Sequence, residues 1–102
     1  MDFEKIIFEI IVHAGNARSN AFEALESAKN GDFENAYNLL KQAKEELNMA
    51  HDIQNKLITE EANGKEIPVK LILIHAEDHL MNAILARDLI EEIITFYKSM
   101  HK

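Results

Sequence analysis

Apolar residues recur at helical spacing through almost the whole chain, and the pattern breaks at two places only. From Phe3 onward they fall at Ile7, Ile10, Ile11, Ala14, Ala17, Ala21, Leu25 and Ala28, which predicts a helix over about 3–29. A second stripe, Ala36, Tyr37, Leu40, Ala43, Leu47, Ala50, Leu57 and Ile58, predicts a helix over about 33–61. A third and greasier run predicts a helix over about 68–97, with Ser99 to Lys102 frayed. Asn30-Gly31 is a stop signal and Asp32 a natural N-cap, while Asn63-Gly64-Lys65-Glu66 is a polar turn and Pro68 suits a first helical turn. Two short connections between three helices of similar length predict an all-α, up-down-up antiparallel three-helix bundle, one domain over 1–102.

The third helix carries more apolar surface than such a bundle can cover. Between Leu71 and Leu89 its polar residues shrink to a narrow wedge around Lys70, Glu77, Asp88 and, beyond, Thr95. A surface helix needs an apolar arc of about 100°, so the surplus predicts self-association, because every copy offers the same stripe. Inside this run sit His75, Asp78 and His79. At about 100° per residue Asp78 lies about 60° to one side of His75 and His79 about 40° to the other, so the three share a face. Leu71, Asn82, Leu85, Ala86, Leu89, Ile93 and Tyr97 lie on that face too. The cluster is therefore headed for burial or for a cleft, and burying it costs several kcal/mol unless each group finds a partner.

Composition narrows the chemistry. The 102 residues are 47% hydrophobic, enough for a core without staples, and cysteine is absent, which removes disulfides, thiolate nucleophiles and cysteine metal sites. Asp2, Glu4, Lys5 and Glu9 interrupt the first apolar stretch, unlike a signal peptide or membrane span, so a soluble, cytoplasmic protein is expected. A net charge of -7 without a basic cluster disfavours nucleic acid and anionic lipid.

Several chemistries fit a His-x-x-Asp-His helix in principle. The His75 and His79 spacing matches the zincin helix, but the Glu of His-Ala-Glu-Asp-His falls at the third position and no third ligand is marked. A ferritin-like pair needs Glu-x-x-His on two helices, which is missing. Histidine as a nucleophile remains: a neutral imidazole attacks phosphorus well and leaves well, which suits a reversible phosphoryl carrier. Elsewhere Gly15 reads as a site of close backbone approach, and His51 and Gln54 lie near enough to the second stripe to point toward the same cleft. His13 and His101 carry no functional argument, and Met81 and Tyr97 read as core or interface.

The run His75-Ala76-Glu77-Asp78-His79-Leu80-Met81 resembles the HAQDHLM signature of the lactose/cellobiose-type enzyme IIA of the bacterial sugar phosphotransferase system. The segment His13 to Ser19, the helix start Gly31-Asp32-Phe33 and the stretch from Ala50-His51 to Gln54 resemble the same family in the same order. The resemblance implies homotrimers of three-helix subunits. It implies that His75 carries the phosphoryl group, received from the general histidine phosphocarrier protein and passed to a cysteine of the IIB component during sugar uptake. It further implies that Asp78 from three subunits holds one divalent cation, best Mg²⁺ among hard ions, and that His79 neighbours and orients the acceptor. One position departs from the signature: Glu77 stands where the family has Gln. It lies about 160° from His75 on the wheel, away from its own subunit's phosphoryl group, though a charge there would weaken phosphohistidine formation if it met a neighbour's site. The competing reading is a non-catalytic interaction module, since Gly31 to Glu45 resembles one helix of a tetratricopeptide repeat, but no period near 34 residues recurs.

Overall fold

The structure, a computed structural model, describes residues 2–101. Three helices account for nearly all of them: α1 (Phe3–Lys29), α2 (Phe33–Ala62) and α3 (Leu71–Met100). They form a rod of 56 × 19 × 16 Å. The caps explain the boundaries. Asp2 accepts from the backbone N–H of Lys5 at 3.2 Å and Asp32 from that of Asn35 at 3.1 Å, each filling an orphan donor of a first turn. Both α1 and α2 end on Asn-Gly with the glycine at positive φ, Gly31 at 81° and Gly64 at 94°. Each exit closes the paired bonds of a Schellman motif: Gly31 to Ala28 and Asp32 to Ser27, then Gly64 to Glu61 and Lys65 to Glu60.

The third helix starts and stops three residues later than its expected 68–97. Pro68 lies outside it, because the connection stays extended through Lys70, whose carbonyl accepts the first helical bonds from Leu73 and Ile74. The buried side chain of Ile67 pins this connection to the core. At the far end Ser99 and Met100 are helical rather than frayed: the Ser99 hydroxyl donates to the Phe96 carbonyl at 2.6 Å, and the His101 ring packs on Tyr97 with centroids 4.3 Å apart. Lys102, expected to fray as well, lies outside the described residues.

Helix α1 is the central element, packed along both others, which touch each other far less. Its buried stripe is Ile7, Ile10, Ala14, Ala17, Ala21, Ala24 and Ala28. Small side chains let the helices come close, and the α2 stripe answers with Ala36, Leu40, Ala43, Leu47, Ala50 and Leu57. Contacts between helices fix the pairing: Ser27 with Asn35 at 2.8 Å, His13 with Glu46 at 2.6 Å and Gln54 with Glu77, joined by Glu4 with Lys70 of the connection at 3.5 Å. Helix α3 buries Ala76, Leu80, Ala83, Ile90 and Ile94, and with them Arg87.

Candidate functional site

His75, Asp78 and His79 do project from one side of α3, but that side is not the one packed into the core. They open into a shallow groove between α1 and α3, lined by Arg18, Phe22, His75, Asp78, His79 and Asn82. His75 and Asp78 are exposed and His79 is half-buried beneath them. The two imidazoles, one helical turn apart, stack with centroids at 5.9 Å and planes 24° apart. Asp78 Oδ2 accepts from Asn82 Nδ2 at 3.4 Å, another contact between adjacent turns. Of the expected alternatives, burial and a cleft, the structure has the open cleft.

Helix α1 supplies the other wall through Gly15, Arg18 and Phe22, positions that share a face at i, i+3 and i+7. A Cβ built on Gly15 would stand 3.6 Å from His79 Nε2, an ordinary contact. The glycine therefore does not serve the close backbone approach expected of it. What it borders is a side chain, the His79 ring. Helical periodicity alone does not single out Arg18, whose guanidinium lies 5.8 Å from the Phe22 ring centroid. The Gly15-Arg18-Phe22 spacing was the available signal.

Other residues fall elsewhere. Gln54 Nε2 donates to Glu77 on the side of α3 that faces α2, and the exposed His51 contacts Asn55, so neither lines the groove. Glu77 is half-buried in that second cleft with Leu57, Ile67 and Leu73. His13 is spent on Glu46, and His101 on the aromatic cluster of Phe33 and Tyr97.

Beside the groove runs a stripe that no described part of the subunit covers: Leu71, Ile74, Met81, Leu85, Leu89, Ile93, Phe96 and Met100 are all more than half exposed. Asp78 sits within it, spaced from Ile74 and Met81 as one member of a three-four repeat. Among the described residues no single subunit gathers three acidic or histidine ligands, and no helix is long and apolar enough to cross a membrane.

Known proteins match this chain along nearly its whole length. Residues 5–98 match the family model described as the lactose/cellobiose-specific IIA subunit of the phosphotransferase system. The lichenan-specific phosphotransferase enzyme IIA component of Bacillus subtilis (strain 168) is 48% identical over 97% of this chain and 90% of its own length. The crystal structure of the cellobiose-specific enzyme IIA of Bacillus anthracis superimposes with a TM-score of 0.94 at 45% identity, covering 98% of this chain and 92% of that one. The chitobiose IIA of Escherichia coli, solved in solution in complex with HPr, matches with a TM-score of 0.85 at 38% identity over 100% of this chain and 99% of that chain. Fold, length and motif agree along nearly the whole chain, which therefore belongs to the lactose/cellobiose-specific IIA family of the sugar phosphotransferase system, whose members are carriers that transfer phosphoryl groups.

Proposed function

We propose that His75 is the residue on which this IIA component carries the phosphoryl group. The observation that supports it is exposure: of the two stacked rings His75 is open to the groove, while His79 lies half-buried and acts as its orienting neighbour. The donor is the histidine phosphocarrier HPr, with which the chitobiose relative was solved, and the acceptor is the IIB component of a lactose/cellobiose/chitobiose-type system in the cytoplasm. In the transfer the lone pair of a neutral His75 nitrogen forms the new N–P bond while the donor's N–P bond breaks and its electron pair returns to the donor ring. Each ring keeps the proton on its other nitrogen, so no proton moves and nothing is oxidised or reduced. Family membership sets aside the alternative of a non-catalytic helical module.

The subunit is read as an up-down-up antiparallel bundle, supported by the Ser27–Asn35, His13–Glu46 and Gln54–Glu77 pairings, and its assembly as a homotrimer about the uncovered α3 stripe. Asp78 from each copy would then meet near the axis. Carboxylates are hard oxygen donors and fit one Mg²⁺ per trimer, which when bound offsets their mutual repulsion. No Lys or Arg within a turn on α3 does this, and among the described residues Asp78 forms no ion pair.

The test is incubation with phosphoenolpyruvate and the general phosphotransferase proteins, read by mass spectrometry. Wild type should gain one acid-labile phosphoryl group, and His75→Ala, still helical by circular dichroism, should gain none. A variant phosphorylated as well as wild type would show that the acceptor is elsewhere.

A further inference from the structure

We infer that Arg18 is a catalytic residue of the transfer, the cation that receives the phosphoryl oxygens as the group moves onto His75. The inference rests on the assignment of His75 above and concerns what that assignment leaves unexplained: how a dianion can be accepted beside Asp78 in a chain of net charge -7. Like charges this close disfavour each other strongly unless a cation stands between them or beside them.

Arg18 is the one Lys or Arg among the described residues lining the groove that holds His75 and Asp78. The chain has two arginines, and they are used in opposite ways. Arg87 is buried, with Nη1 donating to Asp88 at 3.3 Å and Nη2 to Glu91 at 3.0 Å. Arg18 is exposed, and among the described residues no carboxylate pairs with it. Its guanidinium rests instead against the Phe22 ring, a cation–π contact that limits where the fork can swing while leaving its N–H donors unspent. An unspent planar fork is what a phosphoryl group recognises best, since two parallel N–H donors match two of its oxygens. The groove, of about 410 Å³, has room for that group together with water. In the loose transition state the charge lies on the three equatorial oxygens, so a donor aimed at them stabilises the transfer more than it stabilises docking.

The rate of phosphoryl transfer from phosphorylated HPr, measured as a function of donor concentration, tests this on the full-length protein. Arg18→Gln should keep the circular dichroism and sedimentation of wild type. Its maximal rate should fall about 10- to 100-fold, at or below the loss typical of a buried oxyanion donor because this site is solvated. KM for the donor should change little, and Arg18→Lys, which restores charge without the fork, should lie between the two. A wild-type maximal rate in Arg18→Gln would overturn the inference. So would a change confined to KM, which would make Arg18 a docking residue, or altered sedimentation with unchanged kinetics, which would make it a counter-charge for Asp78 between subunits. In each of those results wild type is still phosphorylated on His75, so the reading of His75 survives; a wild type that accepts nothing would instead bring down both.

Discussion

The inner face of α3 is built from Ala76, Leu80, Ala83, Ile90 and Ile94, all buried, whereas its outer face carries Leu71, Ile74, Met81, Leu85, Leu89 and Ile93, all exposed. Side chains of similar size, Leu80, Ile90 and Ile94 within and Leu85, Leu89 and Ile93 without, are thus buried on one face and exposed on the other. On the inner face Ala76 and Ala83 alternate with the larger Leu80, Ile90 and Ile94, and the α1 stripe is mostly alanine. The outer residues find no cover among the described residues of the subunit. Leu71 is 81% exposed and Leu89 54% exposed, and a contiguous apolar stripe of this length on a subunit marks an interaction surface. His75 and Asp78 lie at the border between the two regimes, where the groove shared with α1 meets the uncovered stripe.

The largest expected effect comes from breaking the outer face. Leu85→Glu combined with Leu89→Glu would place three pairs of carboxylates in the proposed trimer seam and should convert the protein to a monomer at micromolar concentration. Helicity should be retained, because neither side chain supports the subunit core. Sedimentation with circular dichroism reads both properties; an unchanged mass would show that the stripe is not the interface.

The inner face should respond differently. Ala83 is fully buried, and Ala83→Leu adds three carbons where α1 and α3 touch, costing about 1–3 kcal/mol by overpacking. Because the damage lies within the subunit, the loss in denaturant midpoint should not vary with protein concentration. Leu89→Ala should instead lose stability in a concentration-dependent way. If both variants behaved alike, the division between the faces would be false.

How much of this was legible beforehand follows the same division. Helical periodicity located α1 and α2 to within a residue, because Asp and Asn-Gly caps mark their ends in the sequence. It missed the α3 register by three residues, since Pro68 reads equally well inside a first turn or before it, and only the burial of Ile67 decides. Periodicity also identified the surplus of apolar surface on α3 but not which part α1 would cover. That choice depends on the alanines of a helix distant in sequence. The His75, Asp78 and His79 cluster was visible because it is local; Arg18 and Phe22 were not, because they arrive from α1, and His51 and Gln54 were placed too near because the wheel of α2 does not fix its rotation against α3.

A smaller effect is expected from Asp78→Leu. An apolar residue removes the charges that a cation would otherwise offset, so the trimer should persist and become indifferent to EDTA, while wild type should be weakened by the chelator. Sedimentation at neutral pH with and without EDTA distinguishes them; a wild-type trimer unaffected by chelation would remove the cation from the proposal.

The smallest effect is expected at Glu77, the position where this chain departs from the family signature. Glu77 accepts from Gln54 Nε2 in the cleft between α2 and α3, on the opposite side of the helix from His75, and shares that cleft with Glu61. Glu77→Gln would exchange a charge-assisted hydrogen bond for a neutral one, a loss of about 1 kcal/mol, while relieving repulsion from Glu61, so the two changes nearly cancel. Thermal stability should therefore move by less than about 4 °C, the shift that 1 kcal/mol produces in a domain of this size. Transfer kinetics should stay within about twofold of wild type, because a partly exposed charge on the far side of a helix is screened over roughly 8 Å at physiological salt. A tenfold faster transfer in Glu77→Gln would show that the carboxylate reaches the phosphoryl group of a neighbouring subunit, and the face of α3 that packs on α2 would then have to be counted as part of the site.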